Sequence, residues 1–536
     1  MSAIFDVIVV GFGPAGATCA NLLGAMGVRT LVIDKSRTVY EMPRAFALDH
    51  EIMRVFQNLG LAETIAPFTR PFTPSEYYGT EGQLIKRLGS VPPPYPLGWP
   101  PNMVFTQPPV EAALRQHATT HPCVTVALGE ELVGLTQDDD HVTLELKSDT
   151  GASRKVASRY VIGCDGASST VRTQSGLKYV DLEFDEPWLV VDLRVNDAGL
   201  AKLPSVSVQY CDPTRPATYL IGPDNHRRWE IMVLPGEDRR EMEKEENVWR
   251  LLSRWITPDD AMLWRRASYQ FHALVAGEWR CGRVFIAGDA AHQQPPFTGQ
   301  GMCQGVRDVA NLTWKLQAVL SGNAGDVLLD TYTIERREHV KRLTSIIKDI
   351  GRVICERNPE AARARDARLL AEAGGRVETQ PRQELIPPIA AGLLSPTSHR
   401  ANGTIFPQPR VKRGVETALL DELTGTGLRV VTNGTLDLAQ LANDDTVTRL
   451  GIKLVQIAPD DRAALSMRPG GGFDVSLIET EGVLARWFER NQCAAALVRP
   501  DNYVYGVAAT AADVSDQLAA LACAYTPILI RVTEKS

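Results

Sequence analysis

The stretch IFDVIVVGFGPAG at residues 4–16, continued by ATCANLLGAMGVRTLVIDK, decides the fold of the first part of this chain. An apolar run leads into a glycine-rich turn, apolar residues then recur at helical spacing, and VRTLVID supplies a second apolar run. Short apolar runs on either side of a helical segment are typical of buried parallel strands. The opening therefore predicts a βαβ unit and an α/β fold.

The turn of this unit carries a dinucleotide-binding fingerprint. Gly11, Gly13 and Gly16 form a GxGxxG, and Asp34 ends the second strand 18 residues after the last glycine. The first glycine permits the tight turn, the second lets the backbone approach a pyrophosphate, and the third lets the helix pack on the strand. Pro14 suits the first helical turn, where its missing N–H costs little. An ordinary glycine turn is the alternative, but the strand context and Asp34 favour a dinucleotide.

A second decisive stretch, GDAAHQQPPFTGQG at 288–301, follows the buried run RVFIA. Asp289 ends a predicted strand, so its carboxylate can accept a hydrogen bond from a ligand hydroxyl. Gly299 and Gly301 precede a segment with helical spacing, whose first amides can face an anion. Pro295 and Pro296 add a stiff wall beside them. A purely structural Gly/Pro loop would leave the upstream glycine motif unexplained.

Together with CDGASSTVR at 164–172, these stretches resemble the class A flavoprotein monooxygenases, the aromatic hydroxylases that hold FAD. The resemblance covers essentially the whole chain. Within the class it is closest to the 3-(3-hydroxyphenyl)propionate hydroxylase type, through PRAFALDHE, QYCDPTRP, RRWEIMVLPGE and LVRPDNYV. It implies tightly but non-covalently bound FAD. The motifs and the resemblance place the cofactor contacts at Gly11, Gly13, Pro14, Ala15, Gly16, Asp34, Lys35, Arg44, Gln107, Arg115, Asp165, Gly166, Gly288, Asp289, Pro296, Gly299, Gln300, Gly301 and Met302.

The resemblance also implies a reaction. In this class NADH or NADPH visits transiently and reduces the flavin, after which O2 forms a flavin C4a-hydroperoxide with an electrophilic distal oxygen. A phenolate is the matching partner, so the expected activity is hydroxylation of a phenol, such as a 3-hydroxyphenylpropionate-like phenolic acid. Two alternatives stay open: a biosynthetic hydroxylase or oxygen-inserting enzyme for a larger polycyclic phenol, and a low-turnover flavin protein whose redox state governs a partner.

Such a reaction calls for a proton acceptor near the phenol. A phenol with a pKa near 10 is only about 0.1% ionised at pH 7, which makes the phenolate roughly 4 kcal/mol uphill. Asp49 and His50 are the candidates, because the resemblance places the segment after PRAFAL beside the active site; the choice between them is open. Tyr210, in the QYC strand, is expected to contact the substrate, and Pro295 to stand beside the reactive flavin carbon.

The composition argues against several other functions. The net charge of -7, with no long basic run, gives no electrostatic footprint for nucleic acid or an anionic membrane. No apolar run approaches the roughly 18 residues that span a bilayer. Nine cysteines without a CxxC pair point to a reducing compartment. We therefore expect a cytoplasmic protein without a metal site, and leave open whether it forms a homodimer.

A chain of 536 residues predicts several domains. We expect an FAD-binding domain of Rossmann-like α/β fold, an inserted antiparallel-sheet substrate domain, a linker, and a C-terminal domain that resembles the thioredoxin-like domain of phenol-hydroxylase relatives. Without a CxxC, dithiol chemistry in the last is unsupported. The boundaries are 1–70, 101–180 and 276–355 for the first, 71–100 and 181–275 for the second, 356–403 for the linker, and 404–536 for the last.

Overall fold

The computed structural model describes residues 4–464 and 472–525 of the chain. Their strands form three large sheets and one three-stranded sheet, so the fold is mixed α/β as expected. Within these ranges no helix combines the length and the apolar character needed to cross a bilayer.

The nucleotide sheet, as we call the first, confirms the predicted βαβ opening. Its strands Phe5–Val10 and Thr30–Asp34 run parallel and are joined by the helix Pro14–Ala25. The strand Ser153–Gly163 pairs in parallel on the other side. The carboxyl ends of these strands therefore meet at one edge, where open α/β sheets bind their ligands. In spatial order the sheet contains Arg280–Cys281, Val284–Ile286, Ser153–Gly163, Phe5–Val10, Thr30–Asp34 and Val124–Leu128, with Val142–Ser148 and Glu130–Gln137 branching from Ser153–Gly163.

The substrate sheet, the second, takes most of its strands from the segment around 181–275, which was expected to form the antiparallel-sheet substrate domain. Alternation divides its residues between two apolar clusters: Trp188 and Val190 pack with Phe297 on one face, and Leu189 and Val191 lie on the other. In spatial order it contains His292–Gln293, Ala261–Ala276, Tyr179–Val195, His226–Met232, Ala217–Ile221, Ser207–Tyr210, Ser75–Tyr78, Leu84–Gly89 and Thr379–Pro381.

Two segments far apart in the sequence complete this sheet. The Pro-rich stretch 71–100 supplies the strands Ser75–Tyr78 and Leu84–Gly89. The segment expected to be a linker contains the helix Pro359–Glu372 and the strand Thr379–Pro381, which pairs in parallel with Leu84–Gly89. Its sparse apolar pattern is explained by a mostly exposed helix, in which only three residues are buried.

The C-terminal sheet has seven strands, in the order Glu416–Leu419, Arg410–Arg413, Val475–Glu479, Lys453–Ala458, Arg429–Thr432, Ala495–Val498 and Val504–Ala508. Residues 465–471 and 526–536 of the expected unit lie outside the described residues. The three-stranded sheet consists of Ala47–Asp49, Asn102–Phe105 and Thr69–Pro71.

Two helices are longer than the others. The segment predicted to be helical from Met302 is confirmed as Gly301–Leu320, and Asp330–Cys355 packs beside it. The remaining helices are Pro14–Ala25, His50–Asn58, Ala62–Ile65, Gln107–Ala118, Thr170–Gln174, Asp197–Leu200, Arg239–Met242, Glu245–Leu252, Pro359–Glu372, Leu420–Thr424, Asp445–Leu450, Asp461–Ala464, Val483–Asn491 and Ala511–Tyr525.

Candidate functional site

The glycine turn is packed on two sides and open on the third. Gly11 has φ +97°, and a Cβ there would lie 2.4 Å from the Cys164 carbonyl oxygen; a Cβ on Gly16 would lie 1.9 Å from the Gly11 oxygen. A Cβ on Gly13 would meet nothing within 4 Å. The helix Pro14–Ala25 has no side-chain cap, so its first amides are free for an anion. The geometry suits a pyrophosphate beside Gly13.

Asp34 lies beside this turn. Its Oδ2 accepts a hydrogen bond from the Phe12 amide and its Oδ1 from the Ser36 amide, both at 2.7 Å. Arg115 Nη2 is 4.0 Å from the Asp34 carboxylate and 2.8 Å from that of Glu111. The carboxylate is thereby held at the carboxyl end of its strand, with a cation beside it.

Gln107 links the helix Gln107–Ala118 to residues 43–47, which we call the PRA segment. Its Oε1 accepts hydrogen bonds from the Arg44 and Ala45 amides at 3.2 and 2.6 Å. The Arg44 guanidinium lies 4.7 Å from the centre of the Tyr40 ring and is exposed, as is Lys35. Both cations remain available to a ligand.

Asp165 and Gly166 have different surroundings. The Asp165 carboxylate accepts hydrogen bonds from the Ser169 hydroxyl and the Val171 amide, so it braces its own loop. The Asp165 Cα is next to Gly11, while Gly166, with φ +81°, borders open space. The loop therefore faces the glycine turn through its backbone.

Asp289 presents a free carboxylate. Its neighbour Gly288 donates its amide to Asp308 at 2.9 Å and packs against Ala15. The Tyr179 hydroxyl donates to the Asp289 carbonyl oxygen. The Asp289 side chain is exposed and has no hydrogen-bond partner among the residues that the structure describes. Its backbone is fixed and its carboxylate is left to a ligand.

The loop before the long helix lies against the PRA segment. Gly299 has φ +65°, and a Cβ there would lie 2.5 Å from the Ala47 Cβ. A Cβ on Gly301 would meet nothing, and the helix Gly301–Leu320, whose second residue is Met302, has no side-chain cap. Pro295 is buried and Pro296 half-buried. The first amides of this helix are available to an anion.

The contacts of Asp49 argue against its expected role as a phenol base. Its Oδ1 caps the helix His50–Asn58. Its Oδ2 accepts hydrogen bonds from Arg307 at 2.6 Å and from the Gln300 side chain at 3.2 Å. Burial alone would raise the pKa of Asp49, but the Arg307 guanidinium outweighs it and holds the pKa below its ordinary value. Asp49 is a helix cap and an ion-pair partner, and Gln300 can offer a ligand only its backbone.

The contacts of Tyr210 argue against its expected contact with the substrate. Its hydroxyl accepts a hydrogen bond from Trp255 Nε1 at 3.0 Å, within the apolar cluster on the far face of the substrate sheet. Side chains alternate along a strand, so the neighbour Gln209 occupies the face that Tyr210 does not. Arg215, at the hairpin tip, pairs with Glu237 at 2.6 Å.

A row of five residues crosses the near face of the substrate sheet, and sequence reasoning missed it. Cross-strand pairing aligns Val190, Glu230, Thr218, Gln209 and Tyr77, which we call the central row. This face is directed at the PRA segment, because Arg228, on the same face, donates to the Arg44 carbonyl oxygen at 2.9 Å. The signal was present in HRRWEIM, where the polar residues His226, Arg228 and Glu230 stand at every second position.

Glu230 is the ionisable member of the central row whose setting suits proton transfer. It is 4% exposed, and its carboxylate forms no hydrogen bond within the described part of the chain. Burial raises the pKa of Glu230 to about 7, although Arg228 opposes the shift. In contrast, burial lowers the pKa of His50 to about 4, so that its imidazole is neutral near pH 7.

Known proteins resemble this chain along its whole length. The family described as FAD binding domain matches residues 5–346, and the HcaD C-terminal domain family matches residues 403–524. A probable NADH-specific resorcinol 4-hydroxylase of Rhodococcus jostii is 36% identical, over 98% of this chain and 96% of the relative. A 3-(3-hydroxy-phenyl)propionate/3-hydroxycinnamic acid hydroxylase of Mycolicibacterium gilvum is 35% identical, over 96% and 91%. The crystal structure of the flavin-dependent monooxygenase PieE with FAD and substrate shares the fold, with a TM-score of 0.81, 22% identity, and coverage of 98% of this chain and 99% of that one.

Proposed function

The chain belongs to the FAD-binding-domain family of flavin-dependent hydroxylases, and from this premise we propose that it hydroxylates a phenolic substrate with NADH or NADPH and O2. The observation that carries the proposal is the convergence of two uncapped helix N-termini and the free Asp289 carboxylate near a sheet face that bears Glu230. Bound FAD takes electrons from the nicotinamide and, with O2, supplies the oxygen atom that is added to the ring.

The residues of the site fit FAD. The open space beside Gly13 accepts the pyrophosphate, Asp34 the ribose and Asp289 a ribityl hydroxyl. The amides at Gly301 stabilise an anion beside them by roughly 0.3 to 1 kcal/mol, and up to about 2 when it is partly buried. Lys35, Arg44, Arg115 and the backbone of Asp165, Gly166 and Met302 are further proposed contacts, and Pro295 is proposed to stand beside the reacting carbon.

Glu230 is the proton acceptor that we propose for the phenol, with His50 as the alternative. A carboxylate with a pKa about 7 matches the operating pH better than a buried imidazole with a pKa about 4. Glu230 also lies in the centre of the sheet face directed at the PRA segment. Deprotonation there would send electron density into the ring carbons ortho and para to oxygen.

The experiment uses the purified FAD-loaded protein. Resorcinol and 3-(3-hydroxyphenyl)propionate are each added with NADH and then NADPH, and nicotinamide oxidation and product mass are followed. We expect accelerated oxidation and a product heavier by one oxygen atom with at least one phenol. Oxidation that neither phenol accelerates, in protein with full FAD content, would contradict the proposal.

For the chain outside the site we propose the domain boundaries set out from the sequence, with residues 359–381 of the expected linker assigned to the substrate domain, and a thioredoxin-like C-terminal domain. The parallel strands Arg429–Thr432, Lys453–Ala458 and Val475–Glu479, flanked by antiparallel pairs, support that resemblance. A packing role fits it best, because the sequence has no CxxC.

A further inference from the structure

Arg382 is a buried cation that no carboxylate neutralises in the described part of the chain. It is 8% exposed and begins the turn Arg382–Leu385, directly after the edge strand of the substrate sheet. Burying an unpaired charge is strongly unfavourable. Within the described ranges, each of the other buried arginines has a carboxylate within 3.5 Å: Arg54, Arg228, Arg265, Arg307, Arg336, Arg365, Arg429 and Arg499. Arg382 therefore calls for an anion from outside the chain.

Its position joins the two halves of the candidate site. Arg382 Nη2 donates to the Thr298 carbonyl oxygen at 2.6 Å, in the loop that precedes Gly299. Its positive charge also opposes the rise that burial causes in the pKa of Tyr77, the end member of the central row. Arg382 thus lies where the loop before the helix Gly301–Leu320 meets the near face of the substrate sheet.

The rest of the guanidinium is free to bind. Nε and Nη1 of Arg382 have no hydrogen-bond partner in the described part of the chain. Neither nitrogen is completely buried, so a ligand can reach both. The guanidinium carbon lies 4.4 Å from the centre of the Phe72 ring, which supports its plane. A planar fork of N–H donors matches an oxygen anion. The open edge of the guanidinium therefore suits an oxygen anion.

We propose, on the premise of the proposed function, that Arg382 binds an anionic oxygen of the phenolic substrate. Two substrate oxygens have this chemistry: a side-chain carboxylate and the phenolate itself. A 3-(3-hydroxyphenyl)propionate offers both, resorcinol only the phenolate, and 3-phenylpropionate only the carboxylate. These three ligands separate the two sources.

The test measures the dissociation constant of each ligand for the FAD-loaded wild type and for Arg382→Met, from the change in the flavin spectrum and by calorimetry. Arg376→Met is the matched control, since Arg376 is an exposed arginine of the same segment and the variant has the same net charge. We expect the lost charged hydrogen bonds to raise the constants on the order of 10- to 150-fold in Arg382→Met. Arg376→Met should match the wild type.

The pattern across ligands identifies the oxygen. A loss for both propionates but not for resorcinol supports the carboxylate; a loss for both phenols but not for 3-phenylpropionate, with a raised pKa of the bound phenol, supports the phenolate. Unchanged constants for all three ligands overturn the inference, and if hydroxylation is intact the proposed function survives. A wild type that binds none of the three overturns both.

Arg382→Lys keeps the test decisive if the methionine variant does not fold or hold FAD. It retains the charge but not the fork, so a smaller loss of affinity for the same ligands is expected. Affinities equal to those of the wild type would overturn the inference.

Discussion

Asp289 and Asp49 are carboxylates in neighbouring segments of the site, yet their surroundings give them different roles. Asp289 has no partner among the described side chains and is exposed, whereas both oxygens of Asp49 are occupied by Arg307, Gln300 and helix amides. A free carboxylate can accept hydrogen bonds from a ligand, while a saturated one fixes the protein around it. The chemistry of a residue thus follows from its partners.

Replacing Asp289 tests its proposed contact with FAD. Asp289→Ala should remain folded, because the side chain has no described partner, but should bind FAD on the order of 10- to 150-fold more weakly, as expected for a lost hydrogen bond to a charged group. Asp289→Asn, which keeps an acceptor oxygen, should lose less. The measurement is fluorescence titration of apoprotein with FAD. Wild-type affinity in Asp289→Ala would remove this residue from the site.

Replacing Glu230 tests the proton acceptor. Above a pKa about 7 Glu230 is ionised and can take the phenol proton, so wild-type hydroxylation should rise with pH through that value. Glu230→Gln should hydroxylate about 10- to 1000-fold more slowly at pH 7, within the roughly 4 kcal/mol cost of ionising a phenol, and recover towards pH 10. NADH oxidation should continue, with more hydrogen peroxide per product.

The charged groups around Glu230 are Arg228 on its own strand, Asp192 on the next and Arg265 beyond it. Glu237→Gln is the control, since Glu237 pairs with Arg215 at the hairpin tip. If Glu230→Gln keeps wild-type coupling at neutral pH, the proton leaves by another route, and His50→Gln is the next variant to measure.

At the scale of elements, the helix Pro14–Ala25 and the strand Phe5–Val10 meet closely only because two glycines lack side chains. Gly16 and Gly11 are in direct contact, and Gly13 faces open space instead. The same short motif therefore contains residues required for packing and one required for the ligand. Sequence spacing shows the motif, and the contacts separate the two requirements.

Paired substitutions test that separation. Gly16→Ala places a methyl group 1.9 Å from the Gly11 carbonyl oxygen, so the helix must shift and the protein should lose thermal stability and FAD together. Gly13→Ala meets no protein atom within 4 Å, so the apoprotein should melt near the wild-type temperature while FAD affinity falls. Calorimetry of the apoproteins and FAD titration measure both effects. Equal melting temperatures for the two variants would contradict the assignment.

On the scale of the whole molecule, buried ion pairs fasten the C-terminal unit to the FAD-binding unit. Arg499 Nη2 lies 2.6 Å from Glu335, Arg54 lies 2.7 Å from Asp421, and the Tyr503 hydroxyl donates to Glu51 at 2.8 Å. Removing one partner of a buried pair leaves an uncompensated charge. The C-terminal unit is therefore expected to unfold with the rest of the chain.

Glu335→Gln tests this coupling. It should lower the free energy of unfolding by about 3 to 5 kcal/mol, because the buried Lys315 ammonium loses its ion-pair partner and Arg499 keeps only Asp501. Asp349→Asn is the control: Asp349 and Arg352 form an exposed pair, which contributes about 0 to 1 kcal/mol. Urea unfolding followed by tryptophan fluorescence gives both values. Equal losses in the two variants would contradict the coupling.

The same pair predicts a pH dependence. Burial would raise the pKa of Glu335, but Arg499 and Lys315 outweigh it and lower the pKa to about 2. A depressed carboxyl pKa stabilises the fold above the unfolded-state value of about 4.3, and this stabilisation is lost as the pH falls towards 2. The stability difference between wild type and Glu335→Gln should therefore be constant above pH 5 and shrink below about 4.3.

The sequence by itself determined the βαβ opening, the glycine motif and the expectation of FAD, because each depends on residues close together in the chain. Only the tertiary structure decided the surroundings of Asp49, Tyr210, Glu230 and Arg382. Asp49 meets Arg307 across 258 positions and Arg382 meets Thr298 across 84, so no local pattern records these partners. The face that Tyr210 occupies was set by strand alternation, and the pKa of Glu230 by the burial that folding imposes. Partners and burial come from packing between distant segments, and in this protein they separate the residues that hold the site together from those free to act on a ligand.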